Sequence, residues 1–480
     1  MTQKQYDHFI AGEWRSSSRY LSNQSPADLS DIVGDYAMAD AEQVEQALQA
    51  AQAAQAEWRA TGLEQRKAVL DFIGDELIAR KEELGRLLCR EEGKTLAEGM
   101  GEVARAGQFF QYYAAECLRQ IGDFAQSVRP NVDIEVHRDP VGTVAVITPW
   151  NFPTAVAAWK IAPALAYGNS VVLKPSELTP ASAWALAEII SRSGLTAGAF
   201  NLVMGDGATT GQALAGSPLI DAVSFTGSVA TGRAVAQQAI GNMAKIQLEM
   251  GSKNALFVTD QAEIDTAVNC AINGAFFGSG QKCTASSRLI VDASVHDEFV
   301  DKFVSAARAL VVGHPFDAQS QIGSMASQAQ FNKVLAYIES AQTEGAELFC
   351  GGKALELEHE GYYLSPTVFA NTSNAMQVNR EEVFGPLTCI IKADNFEHGV
   401  ELTNDTEFGL TAGVVTGSLK QATEFKKSAQ AGCVMVNLPT AGTDYHVPFG
   451  GRGASSYGPR EQGQYAKEFY TTVKTVYQTA

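Results

Sequence analysis

Cys283 is the residue of this chain best suited to covalent chemistry. It follows the stretch Gly280-Gln281-Lys282 and precedes the small polar run Thr284 to Ser287, after which Leu289 to Val291 are apolar. Small and polar residues ahead of an apolar run are typical of a loop that leads into a strand. Since a thiolate is a strong nucleophile, the stretch predicts a catalytic cysteine. A single cysteine is more often structural, so the prediction depends on partner groups.

Two further polar side chains suit a cysteine enzyme. Glu249 lies two residues before Gly251, which lets another group come close to the carboxylate, as a general base requires. Asn151 lies between Trp150 and Phe152 with a proline on either side, so its amide is expected to be a rigid hydrogen-bond donor. A rigid donor stabilises an oxygen that gains negative charge. The three residues together predict nucleophilic attack on a carbonyl group.

Length and composition describe an ordinary globular protein. The 480 residues are too many for one hydrophobic core, so two or three domains are expected. A formal net charge of −18 argues against a nucleic-acid partner, which requires clustered cations. The seven cysteines and seven histidines show no metal-ligand spacing, and no metal site is predicted.

The cytoplasm is the expected location. Residues 1–12 lack the apolar core of a signal peptide. The uncharged run 141–159 is interrupted by Pro149, Asn151 and Pro153, which favours a buried strand that leads into a turn over a membrane span.

The middle of the chain alternates strands with helices. Helices are predicted first, over 40–58, 64–93 and 104–120. Short β-branched runs at 144–147, 171–173, 200–203 and 222–225 then alternate with helical segments near 158–166, 181–194, 208–215 and 230–240. This order predicts βαβ units and a parallel sheet. A similar series after Cys283 predicts a second sheet, with strands at 287–291, 347–350, 387–391 and 413–416 and helices at 298–311 and 328–345.

Two segments alternate apolar and polar residues with a period of two. They are Val132 to His137 and part of Tyr470 to Tyr477. Strands with one wet face outside the main series predict an arm that pairs with the sheet edge of another subunit. A protected edge hairpin in a monomer is the alternative.

Two loops at predicted strand ends suit a nucleotide. Gly227 to Gly232 is expected to end a strand and begin a helix, where free backbone N–H groups can bind pyrophosphate. The glycine spacing is not the GxGxxG pattern, and an ordinary turn between a strand and a helix would also explain these glycines. Lys174 to Glu177 follows a neighbouring strand. Open α/β sheets bind ligands at the carboxyl ends of their strands.

Five motifs give the chain a recognisable pattern. In order they are Pro149-Trp150-Asn151-Phe152-Pro153, Leu248-Glu249-Met250-Gly251-Ser252-Lys253, Gly280-Gln281-Lys282-Cys283, Glu381-Glu382-Val383-Phe384-Gly385-Pro386 and Pro448-Phe449-Gly450-Gly451. The set resembles the aldehyde dehydrogenase superfamily over nearly the whole chain. Met250 and Ser252 depart from the usual Leu and Gly, and neither change removes a reacting group.

The resemblance implies an α/β fold with a Rossmann-like cofactor domain, an α/β catalytic domain and a β-arm for oligomerisation. The expected NAD(P)-binding domain comprises residues 1–120 and 141–251, and the catalytic domain comprises residues 252–452. Residues 121–140 and 453–480 are expected to form the oligomerisation arm and tail of a homodimer or homotetramer.

NAD or NADP is the implied cofactor. The implied roles are the adenosine ribose for Lys174 and Glu177, the pyrophosphate for Ser228, and the nicotinamide ribose for Glu382. A glutamate near the ribose 2′-hydroxyl favours NAD, whereas Lys174 leaves NADP open. The full set expected to bind the cofactor is Trp150, Lys174, Ser176, Glu177, Gly227, Ser228, Gly232, Glu382 and Phe384.

The implied reaction is oxidation of an aldehyde to a carboxylic acid. Cys283 forms a thiohemiacetal and then a thioester, Asn151 stabilises the oxyanion, and Glu249 activates the hydrolytic water. Lys160 matches a lysine implicated in proton relay. A thioesterase would use Cys283 and Glu249 but not the nucleotide loops, and a non-catalytic relative would have lost one of the reacting groups. No histidine occurs in a motif that suggests a cysteine protease.

The substrate is expected to be a small aldehyde with a carboxylate. The resemblance assigns Arg105, Phe152, Lys282 and Phe449 to the substrate pocket, and a guanidinium suits a carboxylate. Lys282 either lowers the pKa of the Cys283 thiol or faces the substrate. The segments 443–451 and 455–461 look most like α-ketoglutaric semialdehyde dehydrogenases. Succinic or glutaric semialdehyde and broad aldehyde oxidation are the alternatives.

Overall fold

An eight-stranded sheet is formed mainly by the first half of the chain. The computed structural model describes residues 4–479. Its strand order is β20-β12-β11-β8-β9-β10-β2-β3, and the five central strands, β12 to β10, are parallel. The strands are β2 (His8–Ile10), β3 (Glu13–Arg15), β8 (Thr143–Ile147), β9 (Ser170–Lys174), β10 (Phe200–Leu202), β11 (Ala222–Thr226), β12 (Lys245–Glu249) and β20 (Ser456–Tyr457).

Helices cover both faces of this sheet, as parallel strands require. Val144 and Val146 of β8 join one hydrophobic cluster, while Ala145 and Ile147 join another on the opposite face. The predicted βαβ series is therefore confirmed. The helices between and beside these strands are α1 (Ala41–Ala60), α5 (Pro153–Ala166), α6 (Pro180–Ser191), α7 (Gln212–Ala215) and α8 (Val229–Gly241).

Three helices pack beside α5 and α6. They are α2 (Leu63–Ala79), α3 (Lys81–Glu92) and α4 (Leu96–Glu116). The single helix expected over 64–93 is wrong, because the backbone leaves the helical conformation at Arg80, with φ −98° and ψ 15°. At this break the guanidinium of Arg80 binds both Glu83 and Glu188 of α6, at 2.8 and 2.9 Å.

A seven-stranded sheet follows, as predicted for the second half of the chain. Its order is β15-β16-β17-β14-β13-β18-β19, and only β15 is antiparallel to its neighbour. The strands are β13 (Ala255–Val258), β14 (Arg288–Asp292), β15 (Glu347–Cys350), β16 (Thr367–Ala370), β17 (Leu387–Ala393), β18 (Thr411–Val415) and β19 (Cys433–Val436). The accompanying helices are α9 (Ile264–Ala275), α10 (His296–Ala309), α11 (Gln328–Thr343), α12 (Gln377–Arg380), α13 (Phe396–Asn404) and α14 (Leu419–Ser428).

Two small sheets complete the fold. The arm sheet is antiparallel and consists of β6 (Asp123–Gln126), β7 (Asp133–Pro140) and β21 (Thr471–Gln478), which follows α15 (Lys467–Tyr470). The other contains β1 (Gln5–Tyr6), β4 (Tyr20–Gln24) and β5 (Ile32–Ala37). Both segments with a period of two are thus paired strands. Residues 453–480 also supply β20 to the eight-stranded sheet, and the division into domains stays a prediction.

None of the helices in residues 4–479 is both long and apolar enough to cross a membrane. All seven cysteines are free thiols.

Candidate active site

Cys283 lies on a tight loop between α9 and β14. A 3₁₀ turn over Phe277–Gly280 precedes it, with positive φ at Gly278 and Gly280. A side chain at Gly280 would come within 2.1 Å of the Gly385 carbonyl oxygen, so the glycine is required by close packing. The Nδ2 of Asn254 donates to the Cys283 carbonyl at 2.8 Å, which holds the loop against the start of β13.

Asn151 lies next to this loop. Its Nδ2 donates to the Gln281 carbonyl at 2.9 Å, and the side chain is buried. An amide nitrogen carries two N–H groups, and the bond to Gln281 orients both. The arrangement can therefore present one donor to an oxygen formed beside Cys283.

A buried ion pair holds Asn151 from the other side. The Nζ of Lys94 donates to the Asn151 carbonyl and to Glu102 Oε2, both at 2.7 Å. Glu102 Oε1 in turn accepts the N–H groups of Thr154 and Ala155 at the start of α5. A carboxylate there satisfies free helix N–H groups and complements the helix dipole. Sequence reasoning missed Lys94 and Glu102, because neither lies in a motif.

Glu249 ends β12 and is buried. Its Oε2 accepts a hydrogen bond from Ser456 Oγ at 2.6 Å. A side chain at Gly450 would lie 2.7 Å from Oε1, so the glycine leaves room for the carboxylate. Burial, and then the nearby Glu461, raise the pKa of Glu249 well above its usual range.

Lys160 lies behind Glu249, on α5. It is fully buried, donates to Ser224 Oγ at 2.8 Å and forms an ion pair with Glu461. Glu249, Glu461 and Lys160 thus form a buried group of titratable side chains. Glu461 was missed as a site residue, although it lies in the segment 455–461, which carried part of the subfamily resemblance.

The charge around the thiol is unfavourable to a thiolate. Burial, followed by Glu382 and Glu249, raises the pKa of Cys283 to about 12. Lys282 donates to the Asn273 carbonyl at 3.0 Å, and burial lowers its pKa to about 8. The raised pKa of the Cys283 thiol argues against one of the two roles left open for Lys282, that of lowering this pKa. The other role, contact with the substrate, stays a prediction.

A cavity of about 170 Å³ opens on one side of Cys283, at the carboxyl ends of β11 and β12. The rings of Trp150 and Phe384 meet edge to face there, 5.4 Å apart. The backbone N–H of Ser252 donates to Glu382 at 2.8 Å, and a side chain at Gly251 would come within 2.5 Å of this carboxylate. The predicted residues in its wall are Trp150, Asn151, Phe152, Gly227, Ser228, Glu249, Cys283, Glu382, Phe384 and Phe449.

The 381–386 loop of this cavity is held by α11. Gln330 donates to the carbonyls of Val383 and Phe384 at 2.9 and 2.8 Å, and Lys333 donates to that of Glu382 at 3.0 Å. Sequence reasoning missed both residues of α11.

Two features of this first cavity suit part of a dinucleotide. Ser228 is the N-cap of α8, whose first N–H groups suit a phosphate, and Gly227 packs against the ring of Phe225, where a side chain would not fit. The hydroxyl of Thr226, at the end of β11, is buried without a hydrogen-bond partner in residues 4–479.

Four predicted cofactor residues lie outside this cavity. The amine of Lys174 is buried at the end of β9, bonded to the Pro175 carbonyl and 3.7 Å from Glu177. Ser176 accepts the N–H of Leu178, and Gly232 packs against Met250. Lys174 pairs in register with Ile147, so this group lies at the same sheet edge as the cavity.

A second cavity, of about 490 Å³, opens on the other side of Cys283. We call it the aldehyde-side cavity. All four predicted substrate residues line it, namely Arg105, Phe152, Lys282 and Phe449. The guanidinium of Arg105 lies 5.4 Å from the ring centre of Tyr445. Phe152, Trp159, Cys283 and Phe449 line both cavities.

The profile of the "Aldehyde dehydrogenase family" matches residues 14–476 of this chain. The chain belongs to the aldehyde dehydrogenase family. A relative, the α-ketoglutaric semialdehyde dehydrogenase of Bacillus subtilis, is 40% identical over 99% of this chain and 98% of its own length.

Solved structures of aldehyde dehydrogenases also match nearly the whole chain. Betaine aldehyde dehydrogenase of Staphylococcus aureus, in complex with NAD⁺, superposes with a TM-score of 0.97 at 31% identity, over 100% of this chain and 95% of the other. A 3,6-anhydro-L-galactose dehydrogenase in complex with NADP gives 0.96 at 34% identity, over 99% of this chain and all of the other. The aldehyde dehydrogenase fold, the oxidation of an aldehyde and the use of NAD(P) are thereby confirmed. The hydrolase and non-catalytic alternatives are set aside.

Proposed function

We propose that this aldehyde dehydrogenase oxidises α-ketoglutaric semialdehyde to α-ketoglutarate. The observation that carries the proposal is the pair of cations, Arg105 and Lys282, in the wall of the aldehyde-side cavity. In residues 4–479 no carboxylate oxygen lies within 4.0 Å of a nitrogen of either side chain. Two cations that form no ion pair favour an anionic substrate.

The similarity to the α-ketoglutaric semialdehyde dehydrogenase of Bacillus subtilis, at 40% identity, supports the same substrate class. Betaine aldehyde, the substrate named for a structural relative, carries a quaternary ammonium group. That cation would be repelled by Arg105 and Lys282 in this chain.

Cys283 is the proposed nucleophile. Its sulfur bonds to the aldehyde carbon while the carbonyl π pair moves to oxygen and the thiol proton moves to the ionised carboxylate of Glu249. The oxyanion would then accept hydrogen bonds from the second N–H of Asn151 and the backbone N–H of Cys283. One donor of this kind lowers the activation free energy by roughly 3 kcal/mol.

Glu249 is the proposed base of the second half-reaction. It takes a proton from water as the water oxygen bonds to the thioester carbon, and the C–S bond breaks to release the acid and the thiol. Only the ionised carboxylate accepts that proton, and its pKa is raised. The Lys160–Glu461 pair behind it is proposed to exchange protons with Glu249 and so restore the ionised form.

The first cavity is the proposed site of the nicotinamide half of NAD(P). Trp150, Gly227, Ser228, Glu382 and Phe384 would hold it. Lys174, Ser176, Glu177 and Gly232, at the same sheet edge, would hold the adenosine half. When bound, NAD(P) supplies the hydride acceptor that makes the thiohemiacetal a thioester.

Three five-carbon aldehydes test the substrate proposal. Pentanal has no carboxylate, glutaric semialdehyde adds one, and α-ketoglutaric semialdehyde adds an oxo group. We expect kcat/KM to rise at least tenfold from pentanal to glutaric semialdehyde. In Arg105→Leu this ratio should fall about tenfold, since a charged hydrogen bond contributes roughly 1.5–3 kcal/mol.

Arg86→Leu is the matched control, because Arg86 is a helical arginine on the surface, paired with Glu82. The ratio should remain at the wild-type value in this variant. Equal turnover of pentanal and glutaric semialdehyde by the wild type would reject the carboxylate preference.

We also propose that the arm sheet mediates a homodimer or homotetramer. Phe124 and Val128 of the β6–β7 hairpin and Val473 and Tyr477 of β21 are exposed, and exposed apolar groups of this kind mark protein interfaces. Light scattering after size-exclusion chromatography should show an oligomer that Phe124→Glu weakens. A monomeric wild type would overturn this assignment.

A further inference from the structure

Gln462 combines burial, an unsatisfied amide and a position in the wall of the aldehyde-side cavity. Its side chain is only 1% exposed, and it lies in the wall of the aldehyde-side cavity with Arg105 and Lys282. Neither Nε2 nor Oε1 has a hydrogen-bond partner among residues 4–479. Buried amides are normally bonded, so an orphaned one in a cavity wall indicates a partner that arrives with a ligand.

The backbone of Gln462 gives a second reason to assign it a function. Its φ of 62° and ψ of 169° lie in a region that essentially only glycine adopts. Strain of this kind persists where the surroundings hold it, and it clusters at ligand sites. A glycine would relieve the strain and an apolar side chain would avoid the unsatisfied amide, yet this position has a glutamine.

Several other polar side chains of the cavity already have partners. Lys94 pairs with Glu102 at 2.7 Å, and Glu98 accepts the N–H of Gly278 at 2.6 Å. Arg105 and Lys282 carry positive charge suited to a carboxylate. The amide of Gln462 is neutral, buried and without a partner in residues 4–479, so it suits an uncharged oxygen of the substrate.

We infer that Gln462 determines specificity by donating its amide N–H to an oxo or hydroxyl oxygen on the substrate tail, next to the carboxylate. This rests on the proposed function, which places such a tail in the aldehyde-side cavity. It adds that the enzyme distinguishes an oxygenated tail from a plain methylene chain. A site built to bond an oxygen discriminates strongly against the analogue that lacks it, because its own polar group is then left unpaired.

The test compares α-ketoglutaric semialdehyde with glutaric semialdehyde, which differ only in the oxo group. We expect the wild type to prefer the oxo substrate by about tenfold or more in kcat/KM. In Gln462→Met, an apolar side chain of similar length, the ratio should approach one, with the change mainly in KM. Gln319→Met is the matched control on an exposed loop and should keep the wild-type ratio.

A second variant separates recognition from folding. Gln462→Gly relieves the strained backbone, so it should melt at or above the wild-type temperature while it loses the preference for the oxo substrate. A wild-type ratio near one, or a ratio unchanged in both Gln462 variants, would overturn the assignment. Failure of the carboxylate preference appears separately, in the comparison of pentanal with glutaric semialdehyde.

Discussion

The raised pKa of Cys283 predicts how slowly its thiol reacts when no NAD(P) is bound. With a pKa of about 12, the thiolate fraction at pH 7.5 is about 3 × 10⁻⁵, against about 0.1 for an unperturbed thiol of pKa about 8.5. A more basic thiolate is also a better nucleophile, by about 40-fold over this pKa difference for a Brønsted coefficient of about 0.45. With both effects included, Cys283 is expected to react with a thiol reagent about 70-fold more slowly than a free cysteine does.

Methyl methanethiosulfonate, a small neutral thiol reagent, measures this rate. The cofactor-free protein would be exposed briefly at pH values from 7 to 10, digested, and the Cys283 peptide quantified by mass spectrometry. The rate should rise about tenfold per pH unit without levelling off, because the pKa lies above the range. The same peptide in urea-unfolded protein is the control and should level off above about pH 8.5.

Removal of a neighbouring carboxylate should speed the reaction. Glu382 is the strongest charged contributor to the raised pKa of Cys283, so Glu382→Gln should increase the modification rate at pH 7.5. A plateau below about pH 8 in the wild type would refute the reasoning, since the folded site would then stabilise the thiolate that burial is argued to disfavour.

Three further predictions concern the groups around the thiol. Glu249→Gln should lower kcat by at least about 100-fold. Stopped-flow absorbance should still show one equivalent of reduced cofactor per site, formed more slowly than in the wild type because Glu249 also takes the thiol proton of Cys283. Wild-type kcat should rise with pH above neutrality, because the pKa of Glu249 is raised. Loss of the burst would contradict its role after hydride removal. Asn151→Ala should lower kcat by about 10²–10³ with native circular dichroism, and a tenfold loss or less would argue against the oxyanion role. Lys94→Met, which leaves Glu102 buried and unpaired, should lower the free energy of unfolding by about 3–5 kcal/mol and the melting temperature with it. Lys67→Met, at the exposed Lys67–Asp71 pair, should cost about 1 kcal/mol or less, and equal melting of the two lysine variants would exclude the buried pair as a stabilising contact.

The strands and candidate site residues that the sequence predicted are those marked by neighbouring residues along the chain. The apolar run 171–173 predicted β9, because a buried parallel strand is apolar on both faces. Cys283, Glu249 and Asn151 each lie in a short motif, and the structure brings all three to the wall of one cavity. Some strands of two or three residues, such as β2 at His8–Ile10, carry too few residues to show a period and were not predicted.

The rest of the site depends on contacts between distant residues. Lys94 matters because it reaches Asn151, 57 residues further along the chain. Glu102 binds the start of α5, and no local pattern on α4 indicates that. The amide of Gln462 has no hydrogen-bond partner in residues 4–479, and a missing partner can be recognised only in the folded chain.

Among residues 4–479, only Phe152, Trp159, Cys283 and Phe449 line both cavities. The two compartments can therefore be filled at the same time by separate molecules. A compound that occupies only the aldehyde-side cavity should compete with the aldehyde and leave the affinity for NAD(P) unchanged. Because Arg105, Lys282 and Gln462 line that cavity and not the first one, selective inhibitors of this enzyme are best designed against it.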